Sequence, residues 1–424
     1  MVVALLEYIK NFLYSLNPDL IVQAPSRINL INPLDAVEGD FWMPSLAING
    51  EKNPLSAFFY IKKVDQESKL KIYQLKIHGN NYSMDIIRDE KLLKSRDEIK
   101  RKTEGEDKLI YASISRFIRM SSYFEEMFNN SNFEIGLIST IPLQSGLGGS
   151  AAIIIAILYG FANYFNIFNN LKHVKKHEFP INKDIIAEMA TKIEDEDLRI
   201  TAGYGDRYVI SRGGLSFCSY YGKLFHKEIS KEPLAVYDRI DKVYGLNDIP
   251  IIVCYSGILH ESGDVHRKLR KIYLENNLDI IKCYKELGKI AWKSRFAIMC
   301  RNWKLLGEYF KKNTIIMNRV MENAGFEFGI GLANNILIKI IEENPDVYAA
   351  KLTGAGGGGS VFALVNSNKI ETILNYWRDN LNELIINKDK FSSKFPAYPL
   401  EITSQLKKAQ FFRIKIDKNG VKKL

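Results

Sequence analysis

Residues Ile141–Ala152, IPLQSGLGGSAA, run directly into IIIAILYGFANYFNIF, and no charged side chain occurs between Ile141 and Phe168. Three readings compete for this stretch. It is a glycine turn ahead of a buried helix, a membrane span, or a glycine loop that opens a helix onto a phosphate. Glycines let backbone N–H groups turn toward a ligand and approach it closely, because no Cβ stands in the way. A helix beginning at Ser150 adds free N–H groups and the positive end of its dipole. The uncharged run from Ser150 to Phe168 is long enough to span a bilayer. Against that reading stand Asn163, Asn166 and the absence of a second such segment. A Walker A loop is excluded, since no GxxxxGK[ST] spacing occurs here.

The rest of the chain has to choose. Its 424 residues suit two domains, with a boundary expected between 225 and 248 and domains at 1–230 and 231–424. An apolar share of 46% and a charged share of 25% belong to an ordinary folded protein. The net charge is +10, but acids and bases interleave, as in RDEKLLKSRDEIKRKTEGEDK. No one-signed stripe or basic tail marks a nucleic-acid binder, so the excess suits an enzyme of anionic small molecules. Cys218, Cys254, Cys283 and Cys300 form no CxxC pair and read as buried thiols of a reducing compartment. The opening MVVALLEYIKNFLYSL carries Glu7 within its apolar part and lacks a basic leader, so an amphipathic helix and a cytoplasmic protein are expected. His173 and His177 stand four apart in HVKKHE, but without HExxH they read as a solvated helix rather than a zinc site.

Strands are expected at LIVQAPSRINLIN, LSAFFYIKKV, KLKIYQLKIHG, NFEIGLISTIP and IPIIVCYSG, with helix over 88–128 and over most of Val265–Asn344. YVISRGGLSFCSYYGKLFHKEI reads as a strand pair about Gly213 and Gly214. Mixed strands and helices without strict alternation give an α+β class in two lobes.

Three further stretches carry chemistry. In APSRINLINPLDAVEGDF, Arg27 lies in a strand and Asp35 in the loop beyond, a cation and a carboxylate that suit a phosphate beside a polyol, or a plain ion pair. In KIEDEDLRITAGYGDRYVISRGGL, Glu194, Asp195, Glu196 and Asp197 crowd a helix C-terminus, where the dipole disfavours acids and a compensating cation is expected. Asp206 follows in a glycine-flanked turn. In KLTGAGGGGSVFALV, four consecutive glycines exceed what a hairpin needs and suit close approach to a ligand.

APSRINLI, PLQSGLGGSAA and KLTGAGGGGSVFAL, in this order, resemble the three motifs of the GHMP kinases, the galactokinase, homoserine kinase, mevalonate kinase and phosphomevalonate kinase superfamily. NPLDAVEGDF, AGYGDRYVISRGGL and ESGDVHRKLRKIYLENN are most similar to sugar 1-kinases of the glucuronokinase and galactokinase type. The resemblance implies a two-lobed fold, with an N-terminal domain like the second domain of a small-subunit ribosomal protein and a ferredoxin-like C-terminal domain. It implies ATP and Mg²⁺, with Gly146, Leu147, Gly148, Gly149, Ser150 and Ala151 around the phosphates. Ser150 and Glu194, twelve positions before Asp206, would hold the metal, with Glu196 as the neighbouring alternative. Asp206 would orient or deprotonate the acceptor hydroxyl and Arg27 would steady the transferring group. Asp35, Arg207, Gly354, Gly356 and Gly357 would meet a sugar or sugar acid, and His266 and Arg267 would close over it. A monomer or homodimer without nucleic-acid or membrane partners is implied. Heptose phosphate or mevalonate as the acceptor, and a non-catalytic sensor, are the alternatives. The chain departs from the family pattern at Asn32, where glycine is usual, and at Arg207, where galactokinases have Gln.

Overall fold

In the computed structural model the described residues are 4–32, 42–50, 54–79, 81–176, 178–219, 229, 234–259 and 262–424. Asp35 and His177 lie outside them.

The first lobe is organised about β1 (Leu20–Asn29), which is buried along almost its whole length. Beside it run β2 (Trp42–Gly50), β3 (Ser56–Lys63), β4 (Lys69–His78), β5 (Asn81–Lys91), β6 (Phe133–Ser139), β7 (Leu215–Ser219) and β8 (Val236–Arg239). The second lobe contributes β9 (Ile251–Tyr255), β10 (Val347–Leu352), β11 (Ser360–Val365) and β12 (Gln410–Ile416), and a two-residue β13 (Lys422–Lys423) returns to β1. Along the main path the order is β10-β11-β9-β12-β2-β1-β3-β6-β4-β5. Among the described residues every pairing is antiparallel except β4 with β6, which is parallel.

β1 changes neighbours midway. Leu20–Pro25 pair with β3, and from Ser26 the strand pairs with β2, Arg27 opposite Ala47. Past this point the Arg27 N–H donates to the Leu147 carbonyl at 3.0 Å, so the glycine loop occupies the edge that β3 has left. The two lobes are joined through β12, which pairs with β9 on one side and β2 on the other.

The uncharged stretch forms the helix Gly149–Tyr164, with Ile154–Phe161 all buried. It lies against β1 and β3, where Phe161 meets Phe59 edge-on at 5.5 Å. Its sequence is apolar all round because its surroundings are protein on every side. No helix among the described residues is long and apolar enough to cross a membrane.

Three expectations are corrected. Residues 88–91 continue β5 rather than starting a helix; helix resumes at Arg96–Lys102, Lys108–Met120 and Ser122–Asn130. YVISR is not a strand but the body of the helix Gly205–Arg212, followed by β7, and residues 220–228 of the expected strand pair lie outside the described residues. That helix is buried from Gly205 through Ser211, so no polar face betrays its period and its β-branched residues mimic a strand. Asp206 consequently sits in the first turn of a helix, where the dipole favours an acid, and not in a free turn.

Gly160 marks how tightly the first helix is seated. A Cβ there would lie 2.4 Å from Phe59 Cδ1, and the ring has no room to retreat within the core. Gly160→Val is expected to lower unfolding free energy by about 2 kcal/mol through overpacking, measured by urea denaturation against wild type.

Candidate active site

The glycine loop, the start of the helix Gly149–Tyr164, the acidic turn and the helix carrying Asp206 converge on one cleft of about 1120 Å³. Its walls include Arg27, Gly146, Ser150, Glu194, Asp206, Arg207, His266 and Gly354.

The loop is held from two directions. Gly146 approaches Gly354 backbone to backbone, and the Ser145 carbonyl accepts from Ser360 Oγ at 2.8 Å. Gly148 adopts φ +78°, and a Cβ there would lie 3.1 Å from both Arg27 Cγ and Ile210 Cδ1. Glycine is therefore needed for its conformation and for room beside the arginine. Leu147 turns its side chain into the core and offers only its carbonyl, whereas Ala151 reaches the cleft wall.

Below the loop runs a chain of buried charge. Arg27 donates to the Gly146 carbonyl and to Asp206 Oδ2, and Asn29 Nδ2 donates to Asp206 Oδ1 at 2.9 Å. Arg207 donates through Nη1 to the Gly203 carbonyl at 3.0 Å and through Nε to Glu194 Oε2 at 2.8 Å. The other Glu194 oxygen accepts from Ser150 Oγ at 2.6 Å. Glu194 is 1% exposed and Asp206 8%. Burial alone would push the Asp206 carboxyl up, but the Arg27 charge and hydrogen bond, then Arg207 and Asn29, outweigh it and bring it down to about 2.

The acids at the helix end are compensated by arginines. Ile193–Asp197 form a π-helical turn, the Leu198 N–H donating to the Ile193 carbonyl at 2.9 Å. Glu194 pairs with Arg207, Asp195 with Arg270 at 3.0 Å, Glu196 with Arg116 at 2.9 Å, and Asp197 with Arg116 and Arg119, both at 2.7 Å. Of these four carboxylates, Glu194 is the one in the cleft wall. Among the described residues no cluster of three or more His, Cys, Asp or Glu could hold a metal ion. His173 stacks on Tyr123 at 3.8 Å.

Residues 112–214 match the GHMP kinases N terminal domain, and residues 299–383 match the GHMP kinases C terminal domain. The chain carries both GHMP kinase domains. It is 25% identical over 243 residues to the D-glycero-alpha-D-manno-heptose 7-phosphate kinase of Campylobacter jejuni, covering 56% of this chain and 62% of that protein. It is 27% identical over 275 residues to Glucuronokinase 1 of Arabidopsis thaliana, covering 63% of this chain and 68% of that one. The matched stretch thus spans less than two thirds of the first relative's length. In fold, the chain superposes on Lactococcus lactis galactokinase complexed with galactose with a TM-score of 0.62 at 16% identity, covering 96% and 95% of the two chains. The two-domain GHMP kinase fold accounts for two glycine-rich loops meeting across one cleft.

Within that fold, Gly354 lines the cleft, while Gly356 and Gly357 pack against Ile330 and Gly331; the Gly357 N–H donates to the Ile330 carbonyl at 2.7 Å. Asn32 takes φ +55°, a left-handed conformation that asparagine tolerates better than most residues, which is how it stands where the family has glycine. Sequence reading missed Asn29, although it lies two residues from Arg27 and therefore on the same strand face. It also missed Thr353, whose Oγ1 accepts the Asn29 N–H at 2.9 Å, and the fully buried Lys351, which donates to the Leu352 carbonyl at 2.7 Å and the Asn29 carbonyl at 3.3 Å. Burial brings the Lys351 amine down to about 7.

Because the folded Asp206 carboxyl is depressed to about 2 from 3.8, its ionisation stabilises the fold above about pH 4, and that contribution is lost as pH falls through about 2. The stability gap between wild type and Asp206→Asn is expected to be full at pH 6 and to shrink steadily below pH 4. Urea denaturation of both proteins at stepped pH measures it.

Proposed function

We propose that this protein is an ATP- and Mg²⁺-dependent kinase that transfers the γ-phosphoryl group to the anomeric hydroxyl of a sugar or sugar acid. The observation that carries this reading is the continuous bonded series Arg27–Asp206–Arg207–Glu194–Ser150 lying under a helix N-terminus and a glycine loop. Phosphoryl transfer asks chiefly for positioning and charge stabilisation, and this series supplies both.

Two atoms in the cleft are left ready for an anionic ligand. Arg27 Nε and Ser145 Oγ are buried in its walls and have no partner among the described residues. Together with the first N–H groups of the helix Gly149–Tyr164, they fit a polyphosphate. Ser150 Oγ and Glu194 Oε1, 2.6 Å apart, form a hard oxygen pair that would hold Mg²⁺. The cation, when bound, would neutralise charge between the donor phosphates. Gly146 and Gly148–Ala151 would wrap those phosphates, Leu147 would anchor the loop to β1, and Arg27 would steady the group in transfer.

Asp206 is a poor base with its carboxyl near 2. It serves best by accepting a hydrogen bond from the acceptor hydroxyl and fixing its line of approach, which suits a loose transition state in which deprotonation comes late. Asn29 and Arg27 hold both of its oxygens and leave little freedom to the carboxylate plane. Gly354 and Arg207, both in the cleft wall, are assigned to the acceptor side. The Asp35 loop is assigned to sugar hydroxyls on motif resemblance, and Gly356 and Gly357 support the wall from behind. The first domain is assigned to residues 1–230 and the second to 231–424, with β8 and β13 of the later segment returning to pair with β7 and β1 of the first lobe.

The resemblance of AGYGDRYVISRGGL to sugar 1-kinases, together with the glucuronokinase relative, favours the anomeric position over other alcohols. The heptose 7-phosphate kinase relative supports a phosphorylated sugar as the second reading. Purified protein with Mg²⁺-ATP is expected to release ADP with D-glucuronate or a related sugar, with phosphorus NMR reporting an anomeric phosphate. Asp206→Asn is expected to lower kcat by about 100-fold or more while nucleotide binding persists. ADP release no faster than the acceptor-free control across sugars, sugar acids, heptose 7-phosphate and mevalonate would refute the kinase reading. Retained ligand binding in that case would favour a sensor.

A further inference from the structure

The charged side chains of the cleft wall can be accounted for one by one. Arg27 commits its two terminal nitrogens to Gly146 and Asp206, leaving only Nε, already assigned to the nucleotide side, and Arg207 is taken up by Glu194, Gly203 and Asp206. Arg267 pairs with Asp264 at 3.2 Å, and Glu106 with Arg88 outside the cleft. Two cations of the wall remain without a partner among the described residues, Lys108 and Arg199.

Arg199 is the more constrained. It stands just beyond Leu198, which closes the π-helical turn, and holds φ +54°, a conformation unfavourable for a long side chain. The next residue anchors it, since the Ile200 N–H donates to the Glu194 carbonyl at 2.7 Å. The nearby acids Asp195, Glu196 and Asp197 are each bound by other arginines, so none is left to neutralise it. Its loop lies where the lobes meet, Ile200 packing against Gly263 at the start of the helix Ser262–Leu274. Lys108, in contrast, starts the helix Lys108–Met120 of the first lobe.

We infer that Arg199 is a specificity-determining residue that binds an anionic group, carboxylate or phosphate, carried by the acceptor. The inference rests on the phosphotransferase reading and sharpens its substrate class. Arg207, the cation that sequence position alone would choose for a sugar acid, has its guanidinium committed to Glu194 and Gly203, and the glycine loop and Arg27 already face the nucleotide phosphates. An exposed guanidinium held in the wall by its backbone can take a planar carboxylate or a phosphate through paired N–H donors.

The test compares wild type, Arg199→Gln and Arg199→Lys. Acceptors are D-glucuronate, D-glucose and a hexose 6-phosphate, followed by coupled ADP release and, without turnover, by calorimetric binding in the presence of ADP. Arg199→Gln is expected to raise KM and Kd for the anionic acceptors by about 10- to 100-fold and to abolish preference over the neutral sugar. Arg199→Lys should recover part of the loss, and KM for ATP and Tm should stay at wild-type values. The glucuronate and hexose phosphate arms tell which anion is taken. Unchanged discrimination in Arg199→Gln, a rise confined to KM for ATP, or a wild type that prefers the neutral sugar would each overturn the inference. Absence of turnover by wild type with every acceptor refutes the kinase reading separately, and the calorimetric arm still decides the role of Arg199.

Discussion

The ion pair between Arg27 and Asp206 is the constraint on which the site depends. It ties the middle of β1 to the first turn of the helix Gly205–Arg212, elements 179 positions apart in the chain. Neither partner is easily replaced: a buried charge left without its counterion typically costs about 3–5 kcal/mol. The same guanidinium reaches the Gly146 carbonyl, so the loop, the strand and the acid are fixed by one side chain. Gly148 keeps the space that this side chain crosses.

From that pair the charges propagate as alternating signs. Arg207 lies between Asp206 and Glu194, and Glu194 between Arg207 and Ser150. In a poorly solvated wall such alternation gives each charge a counter-charge and a fixed orientation. The neighbouring Asp195, Glu196 and Asp197 are neutralised from the other side by Arg270, Arg116 and Arg119. The turn thus presents a single carboxylate inward while its remaining acids act as fastenings to the helix Lys108–Met120 and to the second lobe.

Much of this was legible in the sequence because it is local. The glycine pattern around Gly148, the crowd of acids from Glu194 and the run Gly356–Gly359 announce themselves within a few residues of chain. What was not legible is long-range or lacks a periodic signature. The helix Gly205–Arg212 is buried on all sides, so Tyr208, Val209 and Ile210 offer no polar alternation to distinguish helix from strand. β2 carries Pro44, which argues against a central strand, yet it is paired along both edges. The sequence reading assigned a cation to the acidic turn in the form of a metal; the arginines that neutralise most of it come from 75 to 81 positions away. Asn29 and Thr353 are separated by 324 positions, and only the meeting of the lobes makes them neighbours.

β12 gives the architecture a temporal consequence. Residues 410–416 fill the slot between β2 and β9, so the sheet of the first lobe is completed by a segment more than three hundred positions later in the chain. During synthesis the lobe that bears the glycine loop must wait with one strand edge unpaired until that segment emerges. Such late, non-local closure is slow and leaves an exposed edge open to wrong partners. Vectorial folding therefore cannot deliver a finished first lobe ahead of the second; the two mature together.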